Sequence, residues 1–444
     1  MTYDMRSYLD ILSKKNELAV VQKKVSTKFE IAAITAKMDG SKAILFENIK
    51  DSKFRVVSNL VGTRKRFAYA VGAPENKIHE TVISAIKHAS KPKITKKPKF
   101  MENQSRDLFT LPIVTHFEKE PGPFITSAII YTKNQEMGTQ NSSFNRLLRL
   151  DKKHFSIRMV EGRHLHRTFV YAKEHGEDLK VAISIGVHPA VSIAGAYQAD
   201  WGKDELEIAN ELLNKKLSLS ITPYSRMHVP SESEIIIEGR ILKDTTHKEW
   251  MVEMLRTYDF KRDQPVFELD KIYYRNNPIF HDVLAGFAEH QLLMGMPIEA
   301  KINKELKQVL PKTKNVVLTQ GGCKWLHAVV QISKKRDSDP KKAIDTAFSA
   351  HRSLKNVIVV DDDIDPSDPV AVEYALATRF QADKDLVIVS KVRGSSLDPS
   401  SDQKNLLTAK MGIDATKSFS KRAEGFEIAK IPGAEKISLK NYLK

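Results

Sequence analysis

At 444 residues the chain is long enough for two or three domains, each with a core of its own. A hydrophobic content of 41% beside 28% charged residues fits a soluble globular protein and excludes a disordered one, and no apolar run approaches the ~18 residues that span a bilayer. The 71 basic residues against 55 acidic give a net charge of +16, which favours anionic partners, while a single cysteine, Cys323, excludes an internal disulfide framework and a Cys-rich metal site.

In chain order, residues 6–15 have the spacing of an amphipathic helix, with Tyr8, Leu9, Ile11 and Leu12 on one face. Residues 18–22, 43–47 and 54–58 are strand-like, and 28–38 and 77–89 helical, so an α/β unit is expected first. The Pro- and Lys-rich stretch 91–99 reads as a linker. Strand-like segments then dominate: 125–131, 154–160, 181–185, 235–242 and 266–274, with helices at 167–174 and 205–213. That texture predicts a barrel or sandwich. Residues 282–294 and 299–310 read as two helices. Beyond them α/β alternation returns, with strands at 315–318, 326–332, 356–360 and 385–389 and helices at 341–349 and 369–376. The N-terminus carries acidic residues and no apolar h-region, so the reading is a cytoplasmic protein without a signal peptide or membrane span.

Residues 138–166, GTQNSSFNRLLRLDKKHFSIRMVEGRHLH, gather a small-polar turn, four arginines and three histidines. Arg146 offers a rigid fork for carboxylate or phosphate. Asn141 and His164 offer neutral oxygen and nitrogen ligands. The same residues also suit a basic, solvated β-hairpin. Glu249 and Glu253, four residues apart, would share a face if helical or flank a pocket if in a loop. Paired carboxylates beside an arginine suit proton transfer, because the cation and the neighbouring acid push their proton affinities apart. Asp204-Glu205 opens an apparent helix, where acids suit the dipole in any case. The run from Asp361 to Asp365 fits either a hard cation or a turn and cap before Pro366. The turn-like segment at Lys410, KMGIDAT, could hold a phosphate. No GxGxxG after a strand, Walker lysine or GxSxG nucleophile is present, so nicotinamide-Rossmann, P-loop and serine-hydrolase readings lack their signatures.

Seven blocks, in order, resemble the UbiD family of decarboxylases: GTQNSSFNRLLR, SIRMVEGRHLH, ISIGVHPAVSIAG, DELEIANELL, VPSESEIIIEGRIL, NVIVVDDDIDPSDPVAVEYALATRFQ and TAKMGIDAT. The resemblance implies an α+β fold: an N-terminal α/β domain (1–106), a central split β-barrel that binds flavin (107–310) and a C-terminal α/β oligomerisation domain (311–444). It implies prenylated FMN with Mn2+ (or Mg2+) and potassium alongside. Asn141, His164 and Glu205 match the metal ligands. Phe144, Asn145, Arg146, Arg158, Met159, Val160 and Arg163 match cofactor contacts, and Lys410 matches a lysine near the phosphate. Arg146, Glu249 and Glu253 match the catalytic set: substrate clamp, support for that clamp, and proton donor. Arg149 receives no role.

One departure stands out. The family usually has Glu-Gly-Pro-Phe-Gly before the acid, whereas Glu249-Trp-Met-Val-Glu253 is one residue shorter and places Trp250 and Met251 on the expected pocket wall. Likeness to the shorter archaeal-type members implies decarboxylation of trans-anhydromevalonate 5-phosphate to isopentenyl phosphate, a step in isoprenoid synthesis. The alternatives are an aromatic acid decarboxylase of the 4-hydroxybenzoate or polyprenyl-hydroxybenzoate type and, from the charge alone, a basic nucleic-acid-binding protein, against which the lack of any reader motif argues. The expected partners are an unsaturated acid, a flavin prenyltransferase as cofactor supplier and further copies of the chain.

Overall fold

The computed structural model describes residues 3–442 apart from Gln198, Arg422 and Lys430. The fold is mixed α+β and three-part, with four sheets among the described residues. Helix Met5–Lys14 opens the chain, capped by Asp4, and buries Met5, Tyr8, Leu9 and Leu12. The first sheet orders strands Leu18–Val21, Ala43–Phe46, Arg55–Ser58 and Ile279–Asp282. Its last strand comes from more than 200 residues downstream and runs parallel to Arg55–Ser58. Asp282 therefore ends a strand instead of opening the expected helix. One helix, Ala288–Val309, replaces the two expected there. Pro297 sits inside it, and the lost backbone bond is outweighed because this turn is buried, Met296 being 2% exposed.

The central sheet has nine antiparallel strands, and its hydrogen-bonded path stays open between Phe124–Ile125 at one end and Thr139–Phe144 at the other. Its spine pairs the long strands Ile235–Glu249 and Arg262–Tyr274, with register shifts at Glu238/Gly239 and again between Ile241 and Thr246. The first shift is built on a close approach: a Cβ on Gly239 would lie 2.1 Å from the Glu268 carbonyl oxygen. Two expectations change here. Residues 139–144 are a strand and not a turn, and the 91–99 stretch contains the strand Lys93–Ile94, parallel to Ser218–Ile221. Helix Pro189–Ala196 carried no periodic signal, because seven of its eight residues are buried and it has no polar face.

In the C-terminal sheet the strands run in the order Thr313–Leu318, His327–Ile332, Asn356–Asp361, Leu407–Ala415, Leu386–Arg393. Helices Asp339–Ala350 and Pro369–Arg379 pack with separate apolar clusters of this sheet. Lys410 to Ala415 thus form strand, not a phosphate-holding turn. The acidic run from Asp361 is a charge-paired turn: Arg379 donates to both Asp361 and Asp363, and Lys417 to Asp363.

Candidate active site

Arg146 stands between strands Thr139–Phe144 and Leu147–Arg149, where its carbonyl oxygen accepts the Arg158 N–H at 3.2 Å. Its guanidinium meets three carboxylates. Nε donates to Glu249 Oε1 at 2.7 Å, Nη2 to Glu249 Oε2 at 3.1 Å and to Asp259 Oδ2 at 3.2 Å, and Nη1 to Glu253 Oε1. Burial alone would lower the Arg146 pKa, but the charges of Glu253, Glu249 and Asp259 outweigh it and raise it. The cluster is shielded: the side chains of Arg146, Glu249 and Asp259 are 10%, 1% and 8% exposed, whereas Glu253 keeps 22%.

Glu249 ends the long strand, and Glu253 lies in the hairpin that follows, so the pair converge on Arg146 from strand and loop instead of sharing a helical face. The missing residue does not draw Glu253 away from Arg146. The hairpin is tied at Glu253, whose N–H donates to the Thr257 carbonyl at 2.9 Å, and braced from outside, where the Val252 N–H donates to Glu120 at 3.3 Å. Gly286 (φ +78°) approaches this hairpin so closely that a Cβ there would sit 3.0 Å from the Glu253 carbonyl oxygen. Met251 is buried with Phe124, Leu148 and Ala285. The Trp250 indole donates to the Lys119 carbonyl at 2.6 Å and lies under Lys261. Their contacts are therefore with the core, with segment 119 and with Lys261.

A second cluster joins three elements. Asn141 lies on strand Thr139–Phe144, His164 opens helix His164–Glu174, and Glu205 opens helix Glu205–Leu212, which Asp204 caps. His164 Nδ1 is 2.8 Å from Asn141 Oδ1 and 4.0 Å from Glu205 Oε1. Glu205 is 2% exposed and accepts the Ser142 N–H at 2.8 Å. Burial pushes its pKa up to about 8. Burial, with Arg167 and Arg163 nearby, lowers His164 and keeps it neutral. Asn141 Nδ2 is buried with no hydrogen-bond partner. A desolvated carboxylate without a cation, a neutral imidazole and an amide oxygen fit a hard or borderline divalent ion. Among the described residues no group of three His, Cys, Asp or Glu side chains could hold a metal, so this set depends on the amide of Asn141.

Between the clusters lie residues matched to the cofactor. Asn145 Nδ2 donates to the Arg158 carbonyl at 2.9 Å, Arg158 reaches the Met159 carbonyl, and the Met159 N–H donates to Gln264 Oε1 at 2.8 Å. Met159 is buried, Phe144 half-buried, Val160 exposed, and Arg163 occupies the N-cap position of helix His164–Glu174. Lys410 is not brought to this group; its ammonium donates to the Arg352 carbonyl at 2.7 Å within the C-terminal sheet. Arg149 lies over the Phe109 ring. Sequence reasoning missed Asp259, Gln264 and His290. His290 accepts the Gly286 N–H at 3.0 Å, and its pKa, lowered by burial, also responds to the charges of Glu253 and Arg146. No spacing pattern links these three to Arg146.

Family models for the 3-octaprenyl-4-hydroxybenzoate carboxy-lyase N-terminal domain, Rift-related domain and C-terminal domain match residues 9–86, 87–288 and 291–415. An anhydromevalonate phosphate decarboxylase of Methanocaldococcus jannaschii is 42% identical over 95% of this chain and 99% of its own. One of Methanothermobacter thermautotrophicus is 38% identical over 93% and 96%. The structure of the UbiD-class enzyme HmfF from Pelotomaculum thermopropionicum, in complex with FMN, superposes with a TM-score of 0.96 at 37% identity, covering 99% of this chain and all of that one. An evolved dimeric form of HmfF in complex with prFMN gives 0.92 at 36%, with both chains fully covered. Fold and likenesses together define a carboxy-lyase. The chain belongs to the UbiD family.

The expected α+β architecture and decarboxylase class are thereby borne out. No helix of the described residues is long and apolar enough to cross a membrane.

Proposed function

We propose that this protein decarboxylates trans-anhydromevalonate 5-phosphate to isopentenyl phosphate, using prenylated FMN and a divalent Mn2+ or Mg2+ ion with potassium alongside. The observation that carries the substrate is the near-full-length likeness to relatives bearing that activity in their name. The HmfF complexes with FMN and prFMN support the cofactor. Asn141, His164 and Glu205 would hold the metal, and Asn145, Arg158, Met159, Val160 and Arg163 the flavin, with Lys410 reaching its phosphate only if the C-terminal sheet moves toward it. Prenylated FMN, when bound, supplies the electron sink for the carbon that loses carbon dioxide.

The chain's own residues do the rest. Arg146 takes the substrate carboxylate on Nη1, the position that Glu253 now holds. Glu249, bonded to Nε and Nη2, fixes the plane of the guanidinium. Glu253, displaced from Nη1 and the most exposed acid of the cluster, carries the proton that replaces carbon dioxide. The overall change is a carboxylate plus one proton giving a C–H bond and carbon dioxide. Assembly into homo-oligomers through the C-terminal domain belongs to the same reading, supported by the dimeric relative.

The test is to produce the protein with a flavin prenyltransferase, load it with Mn2+, and follow carbon dioxide release from anhydromevalonate phosphate and from 4-hydroxybenzoate. Release from the first alone is expected. Release from the second alone would replace this substrate with the aromatic one. Glu253→Gln should lower kcat by roughly 10²- to 10⁴-fold, the contribution of a positioned proton donor.

A further inference from the structure

Asp259 is bonded to Arg146, yet neither the clamp nor the donor role uses it. Its Oδ2 accepts from Arg146 Nη2 at 3.2 Å and lies 3.9 Å from Arg158 Nε, while Oδ1 accepts from Arg262 Nη1 and, at 2.8 Å, from the Phe260 N–H. The Asp259 N–H donates to the Met251 carbonyl at 2.8 Å across the hairpin, which fixes the carboxylate's place. Burial raises the Asp259 pKa, but hydrogen bonding to Arg262 and the charges of Arg146 and Arg262 leave it lowered and the group ionised.

Three guanidinium groups (Arg146, Arg158, Arg262) thus face three carboxylates (Glu249, Glu253, Asp259). With all six ionised, the cluster is neutral. The other groups around Glu253 leave that balance intact. His290, on helix Ala288–Val309, is kept neutral by burial. Arg256 turns its guanidinium to the Gly286 carbonyl at 2.9 Å and to Asp39 at 3.5 Å. A substrate carboxylate entering at Arg146 brings one negative charge too many for a shielded, neutral cluster. Glu249 is doubly bonded and buried, and Asp259 is held ionised by its arginines. Glu253 alone is displaced and partly open to water.

The geometry points to Asp259 as a positioning residue that sets the cluster's charge to zero, so that binding of the substrate carboxylate loads one proton onto Glu253. The inference rests on the clamp and donor roles proposed above for Arg146 and Glu253. The proton comes from solvent on binding, moves to carbon as carbon dioxide leaves, and returns Glu253 to its pairing with Arg146.

Asp259→Asn keeps the acceptor for the Phe260 N–H and removes the charge. Arg262→Gln, at a side chain 34% exposed, changes the balance in the opposite direction. Two measurements apply. One is kcat and KM of the holoenzyme against pH. The other is proton uptake on binding the unreactive saturated analogue 3-methyl-5-phosphooxypentanoate, by calorimetry in buffers of different ionisation heat. The native protein should take up about one proton more than Asp259→Asn. In Asp259→Asn, kcat should fall roughly tenfold or more without a rise in KM, and the basic limb of the kcat profile should move to lower pH. Arg262→Gln should raise KM and move that limb to higher pH, and Asp259→Glu should restore the native profile in part.

Native proton uptake and an unmoved limb in both variants overturn the inference. So does a loss in Asp259→Asn that Asp259→Glu does not rescue and that leaves the pH profile in place, since that marks a merely structural role. Full activity in Arg146→Ala or Glu253→Gln would instead overturn the clamp and donor roles themselves.

Discussion

The chemistry of this protein turns on what burial does to single charges. Glu205, with a pKa pushed to about 8, holds its proton at neutral pH. In the metal-binding role proposed for it, Mn2+ must displace that proton, so Mn2+ affinity should rise with pH up to about 8. The folded pKa lies above the ordinary 4.5, so below 4.5 nothing is lost, and between 4.5 and about 8 the folded state binds the extra proton and the metal-free protein loses stability. The thermal midpoint gained on adding Mn2+ should therefore be larger at pH 8 than at pH 6, and Glu205→Gln should abolish the gain. An equal gain at both pH values in the native protein would remove Glu205 from the ligand set. Glu205 was readable in sequence by resemblance alone; its proton affinity was not, because it depends on solvent exclusion by strand Thr139–Phe144.

Among the elements, the paired strands Ile235–Glu249 and Arg262–Tyr274 carry the site: Glu249 ends one, Arg262 begins the other, and the hairpin between them holds Glu253 and Asp259. Their register depends on Gly239. In Gly239→Ala the new methyl would meet a backbone oxygen at 2.1 Å, which no side-chain rotation relieves. A loss of about 1–3 kcal/mol in unfolding free energy is expected, read from denaturant midpoints, with a drop in activity as Glu249 shifts away from Arg146. Both strands were visible as alternating apolar segments in 235–242 and 266–274. Their extensions to Glu249 and back to Arg262 were not. Residues 243–248 are polar and half-buried or exposed; Thr246 to Lys248 are held by pairing with Pro265 to Asp263, and Lys243 by its N–H bond to Asp178 at 3.0 Å, contacts that no apolar alternation announces. Strand Leu407–Ala415 was lost to the eye for a related reason: its Gly and polar residues look like a turn, yet Gly412 is needed because Ile344 approaches to 2.4 Å of where a Cβ would be.

Across the whole molecule, one buried acid ties the N-terminal part to the C-terminal sheet. Glu299, on helix Ala288–Val309, accepts from Arg64 at 2.7 Å, lies 3.1 Å from His79 Nε2, and accepts the Leu318 N–H of the C-terminal sheet at 2.8 Å. Burial alone would raise its pKa, but Arg64, His79 and Lys324 outweigh this and lower it to about 2. Its stabilising contribution is thus complete above the ordinary 4.5 and lost as pH falls toward about 2. Glu299→Ala should cost about 3–5 kcal/mol at neutral pH, as expected when one partner of a buried pair is removed. The gap in thermal midpoint between variant and native protein should narrow as pH is lowered through that window. A gap that stays constant would show that packing and not charge is what Glu299 contributes.

By itself the sequence determined the three-part α+β order, from local periodicity, and the family, from motifs in fixed order; the clamp, donor and ligand roles proposed above came from that resemblance alone. Only the tertiary structure decided that strand Ile279–Asp282 crosses into the N-terminal sheet, that Lys410 lies in a strand apart from the Arg146 cluster, and that Arg146 meets Asp259 as well as two glutamates. The first and last depend on contacts between residues more than 100 apart in the chain, and the strand at Lys410 on its pairing with Val389 and on the neighbouring Asn356–Met411 pair, where no local spacing carries the signal and burial of the assembled sheet sets the partners.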